Sequence, residues 1–133
     1  MGPLQGIRVL EFESIGPAPF AGMLLADMGA DVLVVDRPAS TDLGLERERW
    51  YDVMMRGKRS VTLDLKNTEA VRAALQVAAR ADALIEGMRP GVMERLGLGS
   101  GGALRVGCAC YTTAEEVDRL VTGVRALRRA GPV

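Results

Sequence analysis

Cations recur in this chain at the places where an α/β sheet presents its ligands. Residues Arg56–Lys66 read RGKRSVTLDLK, so Arg56, Lys58 and Arg59 run into an alternating segment that closes on Lys66. Arg37 directly follows the apolar run DVLVVD, and Arg89 follows DALIE just ahead of Pro90. In open α/β sheets ligands bind outside the carboxyl ends of the strands. Lys and Arg are the usual partners of phosphate oxygens. Cations at three strand ends therefore predict one positive rim suited to a phosphorylated ligand, although each cation taken singly is also what a solvated surface charge looks like. Lys+Arg and Asp+Glu both number 17, so any anion site is local and not a field of the whole chain.

Other chemistries are poorly supplied. The chain has no histidine, which excludes Ser-His-Asp and Cys-His catalysis within it. Glu11 and Glu13 flank Phe12 and share one side of a strand. They could form an acid/base pair, but solvated strand-end acids are the simpler expectation. Cys108 and Cys110 stand at C-x-C spacing with no second cysteine pair to complete a zinc set. They read as small apolar strand residues in a reducing, cytoplasmic setting, and no metal is expected. The turn Glu13–Pro19 (ESIGPAP) lacks the glycines of a dinucleotide fingerprint, and its two prolines remove amide donors. Asp36 alone stands where a ribose-binding acid would. Aromatics make up 4%, too few for base stacking, so no nucleic-acid partner is expected. Asp27, Asp31 and Asp36 interrupt the apolar runs well short of the roughly 20 residues that span a bilayer. The start, MGPLQG, has no basic flank or long apolar stretch and is read as carrying no signal peptide.

The elements that must position the cations follow from periodicity. At 133 residues the chain is about one domain long. Ile7–Phe12 predicts a strand, broken by Gly16-Pro17-Ala18-Pro19. Phe20, Met23, Leu24 and Met28 predict the core face of a helix stopped at Gly29. Asp31–Asp36 predicts a strand buried on both faces, completing a βαβ unit. Residues 37–55 are irregular, with Glu46–Arg49 as a solvated helical turn and Trp50 and Tyr51 as possible covers. Ser60–Leu65 alternates as a half-exposed strand. Asn67 or Thr68 caps a helix that packs through Val71, Ala74, Leu75 and Ala78. Asp82–Glu86 is a further strand, and Pro90 opens a short helix through Val92, Met93 and Leu96 to Gly97. Beyond the flexible Gly97–Gly102, Leu104–Ala109 reads as a strand and Thr113-x-x-Glu116 as a capping box. Val117, Leu120, Val121, Val124 and Leu127 then line a last helix, with Arg125, Arg128 and Arg129 favourably placed at its C-terminal end. The fold expected is a single α/β domain: a Rossmann-like, open, mostly parallel sheet of about five strands, ordered 3-2-1-4-5, with helices on both faces.

Three segments carry a family resemblance: GPLQGIRVLEFESIGPAPFAGMLLADMGADVLVVDRP, RGKRSVTLDLK and ADALIEGMRPGVMERLGLG. In that order, residues 2–99 resemble the N-terminal part of the family III CoA-transferases, most closely the α-methylacyl-CoA racemases. The resemblance implies CoA as substrate carrier. By position it implies that Arg37 contacts the CoA nucleotide, that Leu63, Asp64, Leu65 and Lys66 form a CoA-binding segment, that Gly87, Met88 and Arg89 line the site, and that Arg95 makes a further contact. The stretch between Asp36 and Arg56 is longer than the family's usual loop. Racemases of this type exchange an α-proton between a His and an Asp, and the transferases form an acyl anhydride on an Asp. Those residues follow the family's next strand, and the likeness stops near Ser100, so no catalytic residue is assigned. Residues 103–129 resemble instead the C-terminal end of class V aminotransferase-fold cysteine desulfurases, with Arg105 at the position of a carboxylate-holding Arg. No pyridoxal-binding lysine domain accompanies them, and no pyridoxal phosphate is expected. The chain thus reads as a chimera, residues 1–99 family-like and residues 100–133 a grafted strand-helix end. The expected function is a truncated or chimeric domain that keeps part of an acyl-CoA surface without the family's chemistry, with a homodimer as the family's assembly. The alternative is a recombined or designed structural domain with no retained activity.

Overall fold

The apolar runs of this sequence become strands because both of their faces find helices. A computed structural model describes residues 2–39, 51–89, 91–98 and 113–130. It contains four strands: β1 (Arg8–Phe12), β2 (Asp31–Asp36), β3 (Arg59–Thr62) and β4 (Ala83–Ile85). They form one sheet in the order β3-β2-β1-β4, all parallel. Arg8 is level with Asp31, Val9 with Ala83 and Leu33 with Arg59. The helices are α1 (Pro17–Asp27), α2 (Thr68–Ala78), α3 (Val92–Arg95) and α4 (Ala114–Ala130), with a 3-10 turn at Val53–Met55. The chain divides into two compact units, Met1–Gly101 and Gly102–Val133; the sheet belongs to the first and α4 to the second. The order 3-2-1-4 is the one expected. The fifth strand expected at Leu104–Ala109 lies outside the described residues, as do Glu46–Arg49, Trp50, Pro90, Arg105, Cys108 and Cys110.

Strand alternation divides the core in two. On one face Leu10, Phe12 and Val35 pack with Ala74 of α2 and Met93 of α3. On the other, Val9 and Val32 pack with Ala30, and Leu25 and Ala26 of α1 cover them. The α2 cap is Asn67, whose Oδ1 accepts from the Glu69 amide at 2.8 Å. Gly29 (φ 98) follows the end of α1 in a conformation open to glycine, with the Ala30 amide donating to the Leu25 carbonyl at 3.0 Å. In the second unit the capping box of α4 is formed: the Thr113 amide donates to Glu116 Oε2 at 2.8 Å, and the Glu116 amide to Thr113 Oγ1 at 3.3 Å.

Two expectations need correcting. The buried face of α1 is Ala18, Gly22 and Met23. Of the four residues expected to face the core only Met23 does; Phe20, Leu24 and Met28 are 47%, 41% and 39% exposed. The sheet beneath α1 carries Glu11 and receives Lys58, and only small side chains leave room for them. The second correction concerns β3, which ends at Thr62 and not at Leu65. The Leu63 amide still donates to the Asp36 carbonyl at 3.0 Å, but the chain then turns, with Asp64 Oδ1 accepting from the Lys66 amide at 3.1 Å. Leu63 and Leu65 pack against the α2-side core from within that turn.

Phe12 is fully buried at the centre of this core. Phe12→Ala is expected to cost about 3–5 kcal/mol, read as a lower midpoint in urea denaturation.

Candidate functional site: the carboxyl-end rim

From β1 the chain moves to one side for β2 and β3, and β4 returns on the other side. The carboxyl ends of β1 and β4 therefore mark the switch point where open α/β sheets form a crevice. Here the loop Glu13–Gly16 meets the loop Glu86–Arg89. A Cβ on Gly87 would lie 2.6 Å from Ser14 Oγ, so glycine is what lets the two loops approach. Ser14 Oγ is buried without a hydrogen-bond partner among the described residues. The Met88 amide donates to Glu86 Oε2 at 2.7 Å, and the Met88 side chain packs against the core. Arg89 is exposed at the end of this loop.

Arg37 follows β2 on the other side of β1. Its guanidinium lies against Glu13, with Nε 3.5 Å from Glu13 Oε2 and Nη2 donating to the Glu13 carbonyl at 3.4 Å. Its amide donates to Glu13 Oε2 at 3.1 Å and to Asp36 Oδ1 at 2.9 Å. Glu13 thus holds Arg37 at the rim while nearly half of its side chain stays exposed. Asp36 is buried and engaged by this amide, which turns it away from the ribose role its position allowed. Beyond β3, Leu63 and Leu65 are half-buried, and Asp64 and Lys66 alternate with them to the outside. Arg95 is exposed on α3, its Nη1 close to Gly91. Arg37, Lys66 and Arg89 therefore follow the carboxyl ends of three strands of one parallel sheet, β2 and β3 on one side of β1 and β4 on the other.

The rest of the expected basic rim lies elsewhere. Arg56, Lys58 and Arg59 precede or open β3 and so sit at its amino end. Arg56 is paired with Asp27, Nε to Oδ1 at 3.0 Å. Arg59 is paired with Asp31, Nη2 to Oδ1 at 2.6 Å. These pairs are exposed, and such pairs contribute little to stability. The hydrogen bond from Arg56 holds the Asp27 carboxyl below its usual 3.8. A cavity of about 170 Å³ opens at these amino ends, lined by Arg8, Asp31, Arg59 and Arg80 over an apolar floor, at the opposite end of the strands from the rim.

Lys58 is different. Its side chain is 0% exposed, and Glu11, read from sequence as a solvated acid, is 1% exposed. Lys58 Nζ donates to Glu11 Oε2 at 2.6 Å and to the Pro19 carbonyl at 2.8 Å. Burial pushes the Glu11 carboxyl up from its ordinary 4.5; the hydrogen bond and charge of Lys58 oppose that shift, and nearby Asp52 adds to it. Nothing in the sequence pairs these residues, which are 47 positions apart; the one signal is a glycine inside a helix, at Gly22. Among the described residues no group of three or more His, Cys, Asp or Glu could hold a metal ion. No described helix is long and apolar enough to cross a membrane.

A parallel α/β sheet with cations at its carboxyl-end loops is the class this architecture defines. Comparison with known proteins makes it specific. The profile of CoA-transferase family III matches residues 4–105, and the chain belongs to that family. It is 46% identical over 96 residues to the α-methylacyl-CoA racemase of Mus musculus, which covers 72% of this chain and 23% of that protein. It is 37% identical over 105 residues to the succinyl-CoA–D-citramalate CoA-transferase of Chloroflexus aurantiacus, covering 73% of this chain and 26% of that one. The crystal structure of Rv3272 from Mycobacterium tuberculosis matches with a TM-score of 0.66 at 39% identity, over 74% of this chain and 29% of the other. The chain spans about a quarter of the length of the curated relatives it matches.

Two outcomes follow from the buried pair. A Cβ at Gly22 would lie 1.9 Å from Glu11 Oε2 and 2.9 Å from Lys58 Nζ. Gly22→Ala, usually a gain of about 1 kcal/mol inside a helix, should instead lower the thermal midpoint. The second outcome is a pH dependence. Because the folded state raises the Glu11 carboxyl, it binds that proton more tightly than the unfolded chain, so this contribution is full below about pH 4.5 and is lost as pH rises through the raised value. Urea midpoints should show wild type losing ground to Glu11→Gln as pH rises across that range. Asp27 acts in the opposite sense, its contribution being lost as pH falls through its lowered value.

Proposed function

We propose that this domain binds the nucleotide end of an acyl-CoA at its carboxyl-end rim, without performing the family's chemistry by itself. The observation that carries this reading is the placement of Arg37, Lys66 and Arg89 at the carboxyl ends of three strands of one parallel sheet, in a chain of CoA-transferase family III. In this reading Arg37, pre-oriented by Glu13, meets phosphate oxygens together with Lys66 and Arg89. The exposed flanks of Leu63 and Leu65 supply an apolar wall for the adenine, with Asp64 between them. Gly87 and Met88 offer a close backbone approach at the switch point, and Arg95 adds a further cation from α3. The chain has no histidine. Exchange of an α-proton between a His and an Asp would therefore need a histidine from outside these 133 residues. The setting proposed is the cytoplasm, and the assembly a homodimer.

Calorimetric titration with CoA tests the reading. Saturable binding is expected, weakening with added salt as exposed charge–phosphate contacts are screened. Loss of one charged hydrogen-bonding group costs about 1.5–3 kcal/mol, so Arg37→Ala should weaken binding about 10- to 100-fold. No saturable heat at millimolar CoA would sink the proposal and leave a purely structural α/β domain.

A further inference from the structure

The buried ammonium of Lys58 joins three elements, beneath the exposed Arg56–Asp27 pair that also links the 3-10 turn to α1. Lys58 itself follows the 3-10 turn Val53–Met55, its amide donating to the Met55 carbonyl at 3.2 Å. Through Nζ it holds the side chain of Glu11 on β1 and the carbonyl of Pro19 in the first turn of α1. An ammonium has three donors, and two are spent on fixing a helix against a strand. Stability alone does not explain this choice. Apolar replacements of a buried ion pair are often neutral or stabilising, and burial here already works against the charged carboxyl. What the pair does uniquely is fix a distance: it ties β1 to the first turn of α1 across a gap that Gly22 keeps open.

The segment suspended between those two anchored points is Phe12–Ala18. It contains the loop Glu13–Gly16 at the switch point, and Glu13 is the residue that seats Arg37. We infer that Lys58 is a positioning residue for ligand binding at the rim: it sets the spacing of β1 and α1, and through the loop between them it sets the place of Glu13 and hence of Arg37. This rests on the CoA-binding reading of the rim and names a residue that never touches the ligand.

The test uses the full chain as wild type, Lys58→Arg, Lys58→Met, Glu11→Leu and the double variant Glu11→Leu/Lys58→Met. Thermal midpoints, CoA affinity by calorimetry and amide hydrogen exchange of residues 13–16 are measured below every midpoint. Each single apolar change strands a buried charge and should lower the midpoint sharply. The double variant should recover most of that loss. Its CoA affinity should nonetheless stay about tenfold below wild type, a change of about 1.4 kcal/mol, and the amides of Glu13, Ser14 and Ile15 should exchange faster. Lys58→Arg, which keeps the charge and donors, should return part of the affinity. A double variant with restored stability, unchanged affinity and unchanged exchange overturns the inference and leaves the pair a structural feature only. If wild type itself takes up no CoA, the functional proposal fails instead. The exchange of residues 13–16 then decides this one: faster exchange in the double variant supports the tether, and unchanged exchange overturns it.

Discussion

The rest of the first unit is arranged around one buried charge pair. Placing a carboxylate and an ammonium under a helix is costly unless they meet closely and find further hydrogen bonds. Glu11 and Lys58 meet at 2.6 Å, and the Pro19 carbonyl supplies another acceptor. The helix above them can close over the pair only through small residues, and Ala18 and Gly22 provide them. Once that side of α1 is committed to the pair, its bulky residues have to go elsewhere. Phe20, Leu24 and Met28 accordingly line the outer side of the helix. An apolar stripe on a helix usually marks its core; here the demand of an ion pair has rotated it outward.

Balanced overall charge conceals an uneven distribution along the strands. At the amino ends cations are matched pair by pair, Arg8 with Asp82, Arg56 with Asp27 and Arg59 with Asp31. At the carboxyl ends Arg37 is anchored but still partly exposed. Lys66 and Arg89 are exposed and make no ion pair among the described residues. Equal totals of acid and base thus leave most cations at one end of the sheet paired and those at the other more exposed. The spacing between β1 and α1 matters to that second end, because Glu13 leaves the sheet directly into it.

Much of this was legible in the residues. The run DVLVVD is β2 to the residue, because four consecutive apolar, strand-forming positions end on an aspartate that caps the strand by binding the next amide. Asn67 and the Thr113–Glu116 pair cap helices by short-range chemistry that spacing alone reveals. Arg37, Lys66 and Arg89 followed from strand-end logic, whereas Gly87, Met88 and Arg95 entered only through family resemblance. The failures have a common cause. Periodicity gives a stripe but not the side that faces the core, so α1 was turned the wrong way. Alternation ran on through Leu63 and Leu65 although the backbone had already left the sheet, because a turn can keep sending every second residue inward. Lys58 sits between exposed arginines, and its partner is distant in sequence, so only the folded chain reveals that it is buried.

The two outermost strands of the described sheet, β3 and β4, have four and three residues. An unpaired strand edge is a template for adding foreign chains, and its danger grows with length and flatness. Edges this short offer few consecutive backbone groups, and β3 opens on a charged, ion-paired Arg59. The sheet is therefore poorly suited to recruiting copies of itself edge to edge. Fibril-like growth at high concentration is a hazard that the short described edge strands work against.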